Sequence, residues 1–196
     1  MLNGTRISGI KSSKTLIRSF AGSDLYITDA VFEDLIIKNV LKGGVIFSQN
    51  SHLQMVDSQV SNIKGTNGAC IYAEDLTSAT LTNPSAQSLI SASRRRLAMG
   101  LTYLKLKNVF FYNNQAEKSG GVIYVNNVES LVEGCRFIDN RALIGGAIFL
   151  DIQTSANMAV LDSLFSSNQA TISGAAFAYD YKPISTKGIV YKNNTR

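Results

Sequence analysis

Phe137-Ile138-Asp139-Asn140, then Arg141-Ala142-Leu143-Ile144, then Gly145-Gly146-Ala147-Ile148-Phe149: this stretch decides how the rest of the chain is read. Its pattern is Phe-x-x-Asn, a short gap, two glycines, aliphatics and an aromatic. The same pattern precedes it as Phe111-Tyr112-Asn113-Asn114 with Gly120-Gly121-Val122-Ile123-Tyr124, and follows it as Phe165-Ser166-Ser167-Asn168 with Ser173-Gly174-Ala175-Ala176-Phe177. The glycines are spaced 146 − 121 = 25 and 174 − 146 = 28 residues, a period of solenoids rather than of a single globular core.

Two weaker copies lie upstream. Ile36-Ile37-Lys38-Asn39 leads to Gly43-Gly44-Val45-Ile46-Phe47, and Gln59-Val60-Ser61-Asn62 leads to Gly68-Ala69-Cys70-Ile71-Tyr72. The second has one residue too many before its aromatic, which reads as a bulge. Gly68 and Gly121 are 121 − 68 = 53 residues apart, about two periods. Leu101-Thr102-Tyr103-Leu104-Lys105-Leu106 runs into Phe111 as Ser130-Leu131-Val132-Glu133 runs into Phe137, so the excess reads as an insertion over residues 76–100 projecting from one turn. That insertion holds the tribasic run Arg94-Arg95-Arg96. A long loop on a rigid scaffold suits a contact site.

Each copy holds three short runs of strand-forming residues bounded by Gly, Ser and Asn, and no window sustains a helical period. Three strands per period predict an all-β fold, a right-handed parallel β-helix of six to seven coils spanning residues 1–196. A leucine-rich or helical repeat would need a helix or 3₁₀ segment in every period. Stacked coils turn each repeat position into a column at the inter-strand spacing. Ile36, Gln59, Phe111, Phe137 and Phe165 then form an interior column, with Val109, Cys135 and Ser163 two residues earlier on the same face. Asn39, Asn62, Asn114, Asn140 and Asn168 form an asparagine ladder at a turn. Gly44, Gly68, Gly121, Gly146 and Gly174 mark a bend where positive φ is needed or no side chain fits. Gln59 is the misfit: a buried amide without a partner is costly.

Of the 196 residues, 45% are hydrophobic and 17% charged, with 15 Gly and no Trp. No apolar run approaches a membrane span, and the first residues lack the basic start and apolar core of a secretory signal. Val190-Tyr191-Lys192-Asn193-Asn194-Thr195-Arg196 reads as the opening of another copy, so the sequence reads as a segment of something longer. The net charge of +5 comes from scattered basic residues without an aromatic–basic recognition motif, which argues against nucleic acid. Cys70 and Cys135 occupy different repeat positions and read as two separate buried thiols.

The Phe-x-x-Asn and Gly-Gly-Ala-Ile-Phe motifs resemble the β-helix repeats of chlamydial polymorphic outer-membrane proteins, which have the pectin-lyase-like architecture. Similar repeats occur in large surface proteins of protists, ciliates included. The resemblance implies the solenoid fold; that fold carries lyases, adhesins, autotransporter passengers and structural proteins alike.

A pectate-lyase-type site needs calcium-binding carboxylates stacked on one wall beside a base. The place before the ladder asparagine reads Lys38, Ser61, Asn113, Asp139 and Ser167, a single carboxylate, and His52 reads as a surface residue between coils. The expectation is therefore no enzyme, no catalytic or metal-binding residue and no cofactor. A rigid extracellular or cell-surface rod, associating with itself or with neighbouring repeats, is the leading functional reading. An adhesin or glycan-binding solenoid using the 76–100 loop is the alternative, and a lyase-like enzyme the third. Asn3-Gly4-Thr5 and Asn193-Asn194-Thr195 are glycosylation sequons consistent with a eukaryotic secretory product, whereas Asn83-Pro84-Ser85 is excluded by its proline.

Overall fold

The computed structural model describes residues 1–75, 102–151, 156–180 and 185–196. The chain winds through four parallel sheets, two of seven strands and two of six, so six coils are complete and a seventh is begun. The coil around Phe137 illustrates the path. Its strands are Glu129–Glu133 in the first sheet, Arg136–Ile138 in the second, Arg141–Ile144 in the third and Ile148–Asp151 in the fourth. Four strands per coil replace the expected three. The overlooked strand belongs to the third sheet, where Lys11–Ser12, Ile36–Ile37, Lys64–Gly65 and Gln115–Ala116 are two residues long, too short to display an alternation.

The corners explain why the chain turns where it does. Gly4, Asp29, Asp57, Asn108, Gly134, Asp162 and Gly188 enter the second sheet, all with φ between 45° and 67°. Five residues later Gly9, Asp34, Asn62, Asn113, Asp139, Ser167 and Asn193 leave it, with φ between 48° and 67°. Left-handed backbone at one residue is the conformation that Gly, Asn and Asp tolerate best. Between the two corners lie three strand residues, of which the middle one points inward. Those inward residues are Ile7, Phe32, Val60, Phe111, Phe137, Phe165 and Tyr191, aligned by strand register.

This register corrects the two weak copies. Val60, not Gln59, fills the interior column, and Gln59 points to solvent, so no buried amide needs a partner there. Phe32, not Ile36, fills it one coil earlier; Ile36 belongs to the third sheet. Phe32, Phe111, Phe137 and Phe165 are fully buried. The rings of Phe111, Phe137 and Phe165 stack at centroid distances of 5.0 and 4.6 Å. Val109, Cys135 and Ser163 line the interior as expected. Both cysteines are free and buried.

The glycines also resolve into two columns rather than one. Gly43, Gly68, Gly120, Gly145 and Gly174 share a place with positive φ, while Gly44, Gly121 and Gly146 share the next one with Ala69 and Ala175. Gly68 and Gly174 thus belong with the first glycine of each pair. Once they are aligned there, Ile71 and Tyr72 pair with Ile46 and Phe47 without a register shift, so the expected bulge is not present. A register shift occurs instead between Ala142 and Ile144 in the third sheet. At Gly146 a Cβ would lie 2.2 Å from the Ala175 carbonyl oxygen, so this place is glycine because the next coil's backbone occupies the space.

The strand Ile71–Glu74 pairs directly with Ile123–Asn126, and His52–Val56 with Tyr103–Lys107. The coil ending at residue 75 is therefore stacked on the coil beginning at residue 102. The expected projecting loop, with Arg94, Arg95 and Arg96, lies outside the described residues.

Candidate functional site

Three features of the solenoid hold polar side chains in a repeated geometry: a buried corner ladder, a groove outside that corner, and the outer face of the fourth sheet.

The ladder lies just past the corner that leaves the second sheet. Asn114, Asn140 and Asn168 are at most 1% exposed and make the same bonds. The N–H and Nδ2 of Asn140 both donate to Asn168 Oδ1 at 3.0 Å, and Nδ2 also donates to the Phe111 carbonyl at 3.3 Å. Its Oδ1 accepts the N–H and Nδ2 of Asn114, each at 3.0 Å. Every polar atom of the side chain is thus used, which is the condition for burying an amide without a large penalty. The ladder continues to Asn194, a member the sequence reading did not include, through bonds of 3.0 and 2.9 Å.

Asn39 and Asn62 do not belong to it. Asn62 is an exposed corner residue one place earlier, with φ of 56°, in the column of Asn113, Asp139 and Ser167. Asn39 follows a third-sheet strand, exposed at φ of 61°. The ladder place in their coils is filled by Leu35 and Ile63, both fully buried. Ile63 N–H donates to Asn114 Oδ1 at 3.1 Å, so a backbone donor closes the ladder at that end.

Outside the same corner runs a groove of about 320 Å³. Three successive coils contribute a pair of side chains each: Asn113 with Gln115, Asp139 with Arg141, and Ser167 with Gln169; Tyr112, 40% exposed, adds its ring. Asn113 Nδ2 is tied to Asn62 Oδ1 at 2.8 Å, and Asn62 Nδ2 to Asp34 Oδ1 at 2.9 Å. Gln115, Arg141 and Gln169 make no side-chain hydrogen bond among the described residues and point amide and guanidinium groups to solvent. Such a surface offers donors and acceptors at the coil spacing, the chemistry that recognises hydroxyl- or carboxyl-bearing polymers.

The outer face of the fourth sheet carries Phe47, Tyr72, Tyr124 and Phe149 in one column. Tyr72 and Tyr124 stack at 4.7 Å with rings 4° apart. Beside them run Gln49, Glu74, Asn126 and Asp151. Glu74 is fully buried; Lys42 Nζ at 2.6 Å and Gln49 Nε2 at 2.7 Å satisfy it. Tyr124 Oη donates to Asp151 Oδ2 at 3.1 Å. Burial first, and then the carboxylates of Glu74 and Asp151 for Tyr72 and of Asp151 for Tyr124, push both phenols well above their ordinary range, so both remain protonated. Burial and neighbouring Asp151 also raise the Asp180 carboxyl. The face is closed and paired, with Phe47, Tyr72 and Phe149 under 8% exposed.

The other expected residues are dispersed. His52 lies within a first-sheet strand rather than between coils, with Nδ1 2.8 Å from Asp24 Oδ1. The αL corner column that includes Asp139 holds one further carboxylate, Asp34, with Asn62 and Asn113 between them. Asn3 and Asn193 are both exposed, Asn193 at a left-handed corner and Asn3 with its Oδ1 accepting from Thr28 Oγ1 at 3.1 Å. No described helix is long and apolar enough to cross a membrane. The sequence reading missed the corner register, although its signal is plain once known: a Gly, Asn or Asp followed five residues later by Gly, Asn, Asp or Ser, in all seven coils.

A search of curated proteins and a search of solved structures returned no match. The family described as right handed beta helix region matches residues 21–195. With four parallel sheets wound coil on coil over the same span, the chain belongs to the right-handed β-helix family.

Proposed function

We propose that this chain is a rigid, non-enzymatic β-helical rod that serves as a structural or surface protein outside the cell. The observation that carries the reading is the running of columns from coil to coil, including an asparagine ladder whose interior rungs Asn114, Asn140 and Asn168 use every side-chain polar atom and which extends to Asn194. Each coil is held by its two neighbours, so stiffness is distributed along the axis. In the corner column that leaves the second sheet Asp34 and Asp139 stand three coils apart, and in the one that enters it Asp29 and Asp57 are neighbours with Asp162 three coils further on, so neither column stacks three carboxylates on successive coils. Both sequons present exposed asparagines. Glycopeptide mapping by mass spectrometry of native material tests the location: glycan on Asn3 or Asn193 is expected, and unmodified peptides at both sites would return the chain to a bacterial or intracellular setting.

The groove favours a second reading, a glycan-binding surface solenoid. Gln115, Arg141 and Gln169, without side-chain hydrogen bonds among the described residues, lie on successive coils at a spacing suited to successive units of an extended polymer along the axis. A glycan array with the native chain and with Arg141→Ala decides it: binding lost in the variant supports this reading, and no binding by the native chain removes it.

A further inference from the structure

The groove outside the corner is one reach of a longer one. A second groove, of about 140 Å³, meets it at Gln115, and a third, of about 320 Å³, meets the second at Ile36 and Lys38 and reaches Lys11. Together they follow the third sheet across all six of its strands. Strand register puts Lys11, Ile36, Lys64, Gln115, Arg141 and Gln169 at one place on successive coils. The next residues along these strands, from Ile37 to Ala170, are buried, so the column faces outward; Ile36 is half-buried and the other five are exposed. Four of the six strands are only two residues long and have no second outward place, so this column is their outer face.

The column alternates. Cations stand on the first, third and fifth coils, and an aliphatic or an amide stands on the second, fourth and sixth. With coils about 4.8 Å apart, the positive charge recurs at about 9.6 Å along the axis. Lys11, Lys64 and Arg141 make no ion pair or side-chain hydrogen bond among the described residues. The ion pairs that do occur there lie on the other faces: Arg6 with Glu33 on the second sheet, His52 with Asp24 and Lys107 with Glu133 on the first, and Lys42 with Glu74 of the fourth. Lys38, Glu117 and Asp139 also line the groove, all outside the column. Glu117 accepts from Thr66 Oγ1 at 3.5 Å. The lining is therefore cationic on balance, and the cations in its central column have a period of two coils.

That period selects among polymers. An extended sugar chain advances by about one coil step per unit, so a cation on alternate coils meets alternate sugars. Gln115 and Gln169 donate and accept, which suits the hydroxyls of a neutral sugar, and Ile36 offers an apolar contact. A chain charged on every sugar would set half of its anions against groups that do not neutralise them, and a neutral chain would leave the cations without partners.

We propose that the third-sheet column binds, along the axis, an extended polysaccharide that carries one carboxylate or sulfate on every second sugar. The inference rests on the glycan-binding reading and adds to it the class of polymer and the coils that read its charge.

The test is fluorescence polarisation of labelled hexasaccharides with the native chain at physiological salt. Hyaluronan has a carboxylate on alternate sugars, keratan with one sulfate per disaccharide has a sulfate there, oligogalacturonate is charged on every sugar, and chitohexaose is neutral. Hyaluronan or the keratan is expected to bind about tenfold tighter than the last two. Lys64→Gln, with its thermal midpoint unchanged, is expected to weaken that binding by about fivefold and to leave chitohexaose as it was. Gln115→Lys puts cations on three successive coils and should raise galacturonate binding by about fivefold. Galacturonate binding the native chain as tightly as hyaluronan and the keratan, or unmoved by Gln115→Lys, would overturn the charge register while leaving the glycan-binding reading standing, as would a preference for chitohexaose. An unlabelled DNA oligonucleotide that competed as well as the alternating glycans would reduce the column to general attraction for polyanions and overturn the inference. No binding of any hexasaccharide would overturn it together with the reading on which it rests.

Discussion

The N-terminal and C-terminal coils fill the same corner with opposite chemistry. Leu35 and Ile63 bury aliphatic side chains there, whereas Asn114, Asn140 and Asn168 bury amides in the same register. An aliphatic rung contributes roughly 2 kcal/mol of burial and asks only that the neighbouring coils exclude water. An amide rung contributes only when the coils on both sides supply the right atoms, since an unbonded buried amide is unfavourable. The aliphatic corner is therefore tolerant and local, and the asparagine corner is coupled. The junction between them works because Ile63, like any non-proline residue, has an N–H to donate to Asn114 Oδ1. The reverse order would have left an asparagine's N–H and Nδ2 facing a side chain without an acceptor.

The comparison can be broken most directly by giving the coupled corner the tolerant side chain. Asn140→Leu removes the acceptor for the Asn114 N–H and Nδ2 and the donor to the Phe111 carbonyl. A loss of about 4 kcal/mol in urea unfolding is expected; a loss under about 1 kcal/mol would mean the ladder bonds contribute little net stability. Next in size is Gly146→Ala. The same column accepts Ala69 in an N-terminal coil, but a Cβ at Gly146 meets the Ala175 and Gln169 carbonyl oxygens at 2.2 and 2.5 Å. Backbone must shift, at about 3 kcal/mol, measured by thermal and denaturant midpoints.

A smaller contrast lies just past the corner that enters the second sheet, where two coils place Ser58 and Ser163 and another places Cys135. The Ser58 and Ser163 hydroxyls donate to the carbonyls two residues earlier, each at 2.7 Å, as the Cys135 thiol does at 3.4 Å. Burial pushes the Cys135 thiol up from 9.0 to about 12. Because the folded pKa is the higher one, the associated stability is intact below about pH 9 and is lost as pH rises towards 12. Cys135→Ser should match the native chain at neutral pH and exceed it by about 2 kcal/mol near pH 10.5, in unfolding curves taken at both. The mildest change is Ile63→Asn, which lengthens the ladder by one rung. The amide loses aliphatic burial but gains Asn114 Oδ1 as an acceptor, so a cost of about 1 kcal/mol is expected. A cost equal to that of Asn140→Leu would show that the two corners are not interchangeable in either direction.

The strong copies and the weak ones were not equally legible. Phe111, Phe137 and Phe165, with Asn114, Asn140 and Asn168 three residues on, were read in their true columns because two chemically distinct residues recur at a constant spacing. In the N-terminal coils the same places are Phe32 with Leu35 and Val60 with Ile63, ordinary hydrophobic residues that no motif search distinguishes from their neighbours. Exposed asparagines at Asn39 and Asn62 then drew the alignment off register by one place in one coil and four in the other. The candidate groove was read only in part. Asp139 and Ser167 were placed in the right column, but Gln115, Arg141 and Gln169 lie on two- to five-residue third-sheet strands whose existence the sequence did not announce.

What the amino-acid order determined by itself was the kind of fold. A 25- to 28-residue period of short strands, with an aromatic and an asparagine at fixed offset and paired glycines beyond, admits a stacked solenoid and little else. It also carried, unread, the five-residue spacing of left-handed corners that indexes all seven coils. Tertiary structure alone decided which asparagines are buried, since Asn62 and Asn114 have the same chemistry and differ only by one place of register at a corner. It decided that the coil has four sides, because a two-residue strand acquires its identity from the strands hydrogen-bonded above and below it. The physical reason is common to both: in a solenoid, a residue's environment is set by the coils stacked on either side, which are adjacent in space and a full period away in sequence.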